Sequence, residues 1–239
     1  MLHAPSGFKI PATGFARNVN YPRVSVAVDS TMSKKSSSVP IVLQEKEKMI
    51  KYMNGRLDVA PVVYLAGGVE HAKDSGRTWR NEVTPTLMAK GFQVWNPVEH
   101  QKEVAGYSPE EVRELKNGNF SEYAKAARKV VEVDLKKVSE CELIVCKIDE
   151  SALAGAGTFG ELTFARAAGI PVFAWIDLPE GIKQLPSWVV GCLDWCTNSK
   201  QELLHKIPRA RTLREQQEEK LAQHMNEYIE EWSKEFSDR

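Results

Sequence analysis

Neither sign of charge is in surplus in this chain: 32 lysines and arginines face 32 aspartates and glutamates, so no net field exists to concentrate a polyanion. A nucleic-acid polymer is therefore not expected as a partner, whereas a single nucleotide can be held by a few local donors. No apolar run approaches the ~18 residues that suggest a membrane span, which argues against a membrane partner. No secretory h-region stands near the N-terminus. Residues 1–28 lack acidic side chains, as transit peptides do, but Pro5, Pro11 and Pro22 oppose the amphipathic helix such a peptide uses. The four cysteines, Cys141, Cys146, Cys192 and Cys196, show no CxxC spacing and no companion histidines of the kind zinc needs. They lie in or beside apolar runs and read as buried thiols, so a reducing, cytoplasmic setting is expected, with no metal.

What is present is one substantial α/β core with tails, as the length of 239 residues suggests. Residues 1–58 are rich in Ser, Pro and Gly up to about Gln44 and read as a flexible arm, with one or two helical turns over Glu45 to Met53. Residues 59–208 alternate short apolar runs with helical periodicity. Val59 to Ala66 runs into Gly67-Gly68 as a buried parallel strand runs into a glycine turn. Trp79 to Lys90 reads as a helix, Phe92 to Trp95 as a strand stopped by Asn96-Pro97, and Pro109 to Leu115 as a short helix in a long connection. Glu122 to Glu140 (helix), Leu143 to Ile148 (strand), Thr158 to Ala168 (helix) and Pro171 to Ile176 (strand) continue the alternation. A weak strand is expected around Val189 to Trp195 and a helix near Lys200 to Lys206. This order implies a mostly parallel sheet with helices on both faces and ligands outside the carboxyl ends of its strands. Residues 209–239 form a charged C-terminal helix with a narrow apolar stripe of Leu213, Leu221, Met225, Tyr228, Ile229 and Trp232, suited to packing on the domain or on a second subunit.

The most informative segment is Gly155-Ala156-Gly157-Thr158-Phe159-Gly160-Glu161, where three glycines allow close backbone approach and a helix start offers unpaired N–H groups. Two readings of Glu161 stand side by side. Thr158 and Glu161 have capping-box spacing, and alternatively Glu161 is a carboxylate nucleophile facing the pocket, held ionised by the helix dipole. Asp134 falls inside an apolar arc of Ala127, Val130, Val131, Val138 and Cys141, so it is either paired with a cation or opened to a cavity. If it shares a cavity with Glu161, the two acids divide the work of nucleophile and proton donor. Tyr64 closes the first strand and is either core or site. Arg77, Trp79 and Arg80 offer an aromatic face for a base and two guanidiniums for a phosphate or carboxylate, or else a solvated loop with a core tryptophan. His71 and His100 lack triad or metal spacing and read as surface residues. The full GxGxxG is absent, which rejects an NAD-type Rossmann site.

Together these residues carry a family resemblance. Val63-Tyr64-Leu65-Ala66-Gly67-Gly68, Trp79 and Val94-Trp95-Asn96-Pro97 are similar to the N-terminal half of the nucleoside 2-deoxyribosyltransferase-like proteins. Asp134 with Ser139 to Val145 resembles their acid-bearing helix and following strand, and Gly157 to Leu162 with Ala165 to Val172 resembles their catalytic glutamate turn. The resemblance implies a flavodoxin-like α/β fold and cleavage of the N-glycosidic bond of 2′-deoxynucleosides or their monophosphates, without a cofactor. It makes Glu161 the nucleophile at C1′, has Asp134 orient the sugar or assist proton transfer to the base, and has Tyr64 position Glu161 or the sugar. Gly67, Gly68, Arg77, Trp79, Asn96, Gly157 and Thr158 are the expected substrate contacts, in a homo-oligomer whose neighbouring subunits complete the pockets.

The chain departs from the family pattern in three places. Its first turn reads Ala-Gly-Gly, Ser139-Glu140-Cys141 replaces an aspartate-bearing segment, and Gly155 stands where an acid precedes the nucleophile, leaving Asp149 or Glu150 as substitutes. A non-catalytic nucleotide-binding or sensor module with the same fold is the rival reading, and an NAD-cleaving glycosidase is a third.

Overall fold

A computed structural model describes residues 60–237. The expected arm over 1–58, with its helical turns over Glu45 to Met53, lies outside the described residues. Strand β1 (Val62–Gly67) is followed by α1 (Arg77–Ala89), β2 (Gln93–Trp95), α2 (Pro97–Ala105), α3 (Pro109–Leu115) and α4 (Phe120–Glu140). Then come β3 (Leu143–Ile148), α5 (Glu150–Leu153), α6 (Gly157–Ala167), β4 (Val172–Ile176), a 3-10 turn (Gly181–Gln184) and α7 (Ser187–Cys192). Strand β5 (Trp195–Thr197), α8 (Lys200–Lys206) and α9 (Ala210–Ser237) complete the described chain.

All strand pairs are parallel and the sheet order is β2-β1-β3-β4-β5, the flavodoxin-like doubly wound arrangement. The winding reverses between β1 and β3, so the carboxyl ends of those two strands flank the switch point. Because side chains alternate along a strand, β1 serves two cores at once. Tyr64 and Ala66 join Val138 of α4, Leu162 and Ala165 of α6, and Val189 and Cys192 of α7 on one face. Val63 and Leu65 join Trp79, Val83 and Leu87 of α1, Leu203 of α8, and Ala210 and Leu213 of α9 on the other. All four cysteines are free and buried, as their apolar neighbours suggested.

Three elements differ from the sequence expectation. The run around Val189 to Trp195 is helix α7 followed by a short β5, because Pro186 opens a helical turn and strand pairing with β4 begins only at Trp195. The long connection after β2 holds a second helix, α2, started by Pro97 and capped by the Asn96 side chain, which accepts from Val98 N at 3.1 Å. On α4 the buried residues are Ala126 and Val138, while Val131 is 54% exposed, so the buried arc is narrower than its apolar residues indicate. Helix α9 enters the core through Ala210 and Leu213. The side chains of Leu221, Met225, Tyr228, Ile229 and Trp232 lie outside the described set.

Candidate active site

Tyr64 is the third residue of β1, fully buried, and its Oη donates to Glu161 Oε1 at 2.6 Å. Glu161 reaches it from the second turn of α6. That helix begins at Gly157 with Ala156 at the cap and no side-chain cap, so Thr158 is not a capping residue and the capping-box expectation is overturned. Tertiary contact with a strand 97 residues earlier takes the carboxylate instead. Asp134, half-buried on α4, lies close enough for its charge to act on the same phenol and on Glu161. Residues 64, 134 and 161 therefore form one cluster beneath the sheet's carboxyl edge.

Burial governs the electrostatics of this cluster. Desolvation pushes the Glu161 carboxyl up to about 8, with the neighbouring Asp134 charge adding to it, while Tyr64 and Arg80 oppose the rise. Asp134 is pushed up to about 7 by desolvation, against the hydrogen bond from Tyr64 and the Arg80 charge. The Tyr64 phenol is itself raised, by burial first and then by both carboxylates. Desolvation thus opposes the ionised state that a helix dipole would favour at Glu161. Two neighbouring carboxyls raised in this way titrate together, and their titrations belong to the pair. The hydrogen that Tyr64 donates to Glu161 works against the rise there without cancelling it.

Around the cluster the expected contacts separate into two groups. Gly157 has open space where a side chain would stand, and Gly160 does too, so the α6 surface one turn from Glu161 is bare. Thr158 is buried in the same turn. Asn96 is 2% exposed at the carboxyl end of β2, next to Trp95, the register partner of Tyr64. Asn96 Nδ2 and Trp95 Nε1 are buried donors without a hydrogen-bond partner among the described residues. Trp95 stacks on His100 and lies under Lys137 of α4, so His100 is packed rather than a free surface histidine.

The remaining expected contacts have structural partners. A Cβ on Gly68 would stand 2.8 Å from Ala152 N, so this glycine closes against α5. Gly67 similarly abuts the Trp79 ring. Trp79 belongs to the opposite core from Tyr64, and lines a cavity of about 220 Å³ with Trp175, Lys147 and Glu82. Arg77 forms a fork with Glu110, at 2.8 and 3.3 Å, which holds the Glu110 carboxyl down at about 2. Arg80, read from the sequence as a phosphate or carboxylate ligand, is fully buried with its donors on main-chain carbonyls. Asp149, a possible stand-in for the acid missing at Gly155, accepts from Ser151 Oγ and Ala152 N and pairs with Lys147 at 2.9 Å, while Glu150 is exposed. A groove of about 660 Å³ crosses the carboxyl edge between His71, Lys73, Asp149 and Asp177, and Glu161 is not in its lining.

Sequence reading missed two features of the site. The orphan Trp95 indole carries no linear signal beyond its place at a strand end. The burial of Arg80 was foreshadowed by its spacing from Val83 and Leu87 on one helix face.

A parallel sheet wound in this order, with a buried phenol bonded to one carboxylate and a second acid beside it, defines an α/β protein that holds paired acids in one cluster. The family model described as nucleoside 2-deoxyribosyltransferase matches residues 63–225, and the chain belongs to that family of deoxyribosyl-transferring enzymes. Among solved structures, the 2-deoxyribosyltransferase of the psychrotolerant bacterium Bacillus psychrosaccharolyticus is similar at 18% identity and a TM-score of 0.46, covering 64% of this chain and 95% of that one. No curated protein matches. Among the described residues, no helix is long and apolar enough to cross a membrane, and no group of metal-binding side chains is assembled.

Proposed function

We propose that this chain cleaves or transfers at the N-glycosidic bond of 2′-deoxynucleosides, with Glu161 as nucleophile. The observation that carries the reading is the 2.6 Å contact of Tyr64 Oη with Glu161 Oε1 inside a cluster that also holds Asp134. The singly protonated pair supplies both groups that glycosyl transfer requires. The Glu161 carboxylate attacks C1′ while the C1′–N bond breaks, and its electrons pass to the base, which takes a proton from Asp134. A glycosyl ester on Glu161 results. Water or a second base then attacks C1′, gives its proton to the Asp134 carboxylate, and frees Glu161. Tyr64 orients the nucleophile and stabilises its charge as the ester breaks.

Substrate approaches the bare face of α6 at Gly157 and Thr158, and Asn96 Nδ2 donates to it from the β2 side. The unphosphorylated nucleoside is favoured over the monophosphate, because Arg77 and Arg80, the cations expected for a phosphate, already have partners. We assign a cytoplasmic homo-oligomer, with the 54% exposed Val131 and 79% exposed Phe120 on α4 available to a second subunit. Gly155, in the place of an acid, favours a second reading as a nucleoside-binding module without turnover. Incubation with deoxynucleosides and their monophosphates, followed by chromatography of free base, separates the two. Release by the wild type and none by Glu161→Gln supports the enzyme. Stabilisation by ligand without release from any substrate supports the binding module.

A further inference from the structure

Arg80 is a buried cation whose hydrogen bonds reach no carboxylate. Its Nε donates to Leu65 O at 3.3 Å, Nη1 to Ser75 O at 3.4 Å and Gly76 O at 3.0 Å, and Nη2 to Gly67 O at 2.9 Å. Trp79 covers one side, with the guanidinium carbon 4.7 Å from its ring centroid. Carbonyl dipoles solvate a guanidinium in part, but a charge removed from water still requires a counter-charge nearby. The acidic neighbours on its own layer are turned elsewhere. Asp74 accepts from Gly76 N and Thr78 N at the start of α1, Glu110 holds Arg77, and Glu82 faces Lys200.

The titratable groups that do feel Arg80 come from four other elements: Glu161 of α6, Tyr64 of β1, Cys146 of β3 and Asp134 of α4. Leu65, whose carbonyl takes Arg80 Nε, directly follows Tyr64 in the strand. The same guanidinium gathers both sides of the β1–α1 turn, with carbonyls from residues 65 and 67 on one side and 75 and 76 on the other.

We propose that Arg80 is a positioning residue of the acid cluster: held by main-chain carbonyls of β1 and of the turn before α1, it is the counter-charge of the Glu161 and Asp134 carboxylates. The proposal rests on the reading of Glu161 as nucleophile only for its catalytic consequence, since the charge coupling exists whether or not the chain turns anything over.

The test is a titration of the whole chain by NMR. In the wild type, the Arg80 Nε–H resonance is expected to shift with pH at the midpoints of the Glu161 carboxyl carbon, and to lose that shift in Glu161→Gln. In Arg80→Gln the Glu161 midpoint is expected to rise by about one pH unit. The kcat profile should move with it, while KM stays within about twofold. Arg80→Lys, which keeps the charge and loses the fork, should restore most of the midpoint while lowering thermal stability. An Arg80 resonance that ignores the carboxyl titration overturns the proposal, and that reading needs no variant to fold. A folded Arg80→Gln with an unchanged midpoint overturns it too, even if turnover falls. If titration moves as expected but the wild type releases no base, the glycosyl-transfer reading fails and the charge coupling stands.

Discussion

Tyr64 Oη and Glu161 Oε1 meet at 2.6 Å across 97 residues of chain, one on β1 and one on the helix α6 that packs against the sheet. The phenol is fully buried, so its hydroxyl has no water to turn to and the carboxylate fixes its direction. Removing that hydroxyl isolates its contribution. Tyr64→Phe is expected to lower kcat by about 10- to 100-fold with KM changed less than about threefold, because positioning acts mainly in the transition state. Equal losses in kcat and binding, read from steady-state kinetics and ligand titration, would remove Tyr64 from that role.

Glu161→Gln keeps the shape and the acceptor for Tyr64 while removing the nucleophile. Base release is expected to fall by at least about 10³-fold, with far-UV circular dichroism unchanged. Retained turnover would defeat the assignment.

The paired acids also set a pH dependence of rate. Asp134 is raised to about 7 and Glu161 to about 8, and the proposed mechanism uses the singly protonated pair. The kcat profile is therefore expected to be bell-shaped with its maximum between those values, and to decline on both sides as the pair gains or loses a proton. A plateau extending to pH 10 would show that no proton donor in this cluster is needed.

Stability carries the same signature with a definite sign. Both carboxyls bind protons more tightly in the folded chain than their usual values of 3.8 and 4.5. Their contribution is complete below about pH 4 and is lost as pH rises through 7 to 8. Glu161→Gln removes much of that loss, so its Tm is expected to exceed the wild type's by roughly 4 °C at pH 8, on the order of 1–2 kcal/mol, and to match it near pH 5. Thermal melts at the two pH values check this, and an equal offset at both would contradict it.

Two glycines read alike in sequence are expected to behave differently. Gly68→Ala forces a Cβ against the Ala152 backbone and should cost about 2–3 kcal/mol of stability. Gly157→Ala meets open space at a helix start, so stability should hold, while a bound nucleoside would be crowded and KM should rise. Denaturant melts and KM values for the pair distinguish packing from substrate contact.

Much of this framework was legible where local pattern and tertiary environment agree. The run Leu143 to Ile148 is apolar almost throughout because β3 is covered on both faces, and the strand occupies those same residues. Helices α3 and α8 also span the residues their spacing indicated, each opened by a serine that caps it, Ser108 and Ser199. What was not legible depended on long-range contact. Thr158 and Glu161 have the spacing of a local cap, and only the approach of Tyr64 shows which partner the carboxylate takes. Val189 to Trp195 is an apolar run too short for its period to separate helix from strand. Gly68 looked like a ligand turn because sequence shows an absent side chain without showing what fills its place.

The parallel pairing of β1 with β3 has a consequence for how the protein comes to exist. Glu142, just before β3, bonds back to Val62 N across 80 residues, and no strand pair in the described sheet closes through a tight hairpin. Loop closure of that length must precede the reward of pairing, which places assembly of the reactive cluster late in refolding. A nascent chain that has emerged only as far as α4 carries Tyr64 and Asp134 but not Glu161, so the cluster is complete only when α6 docks.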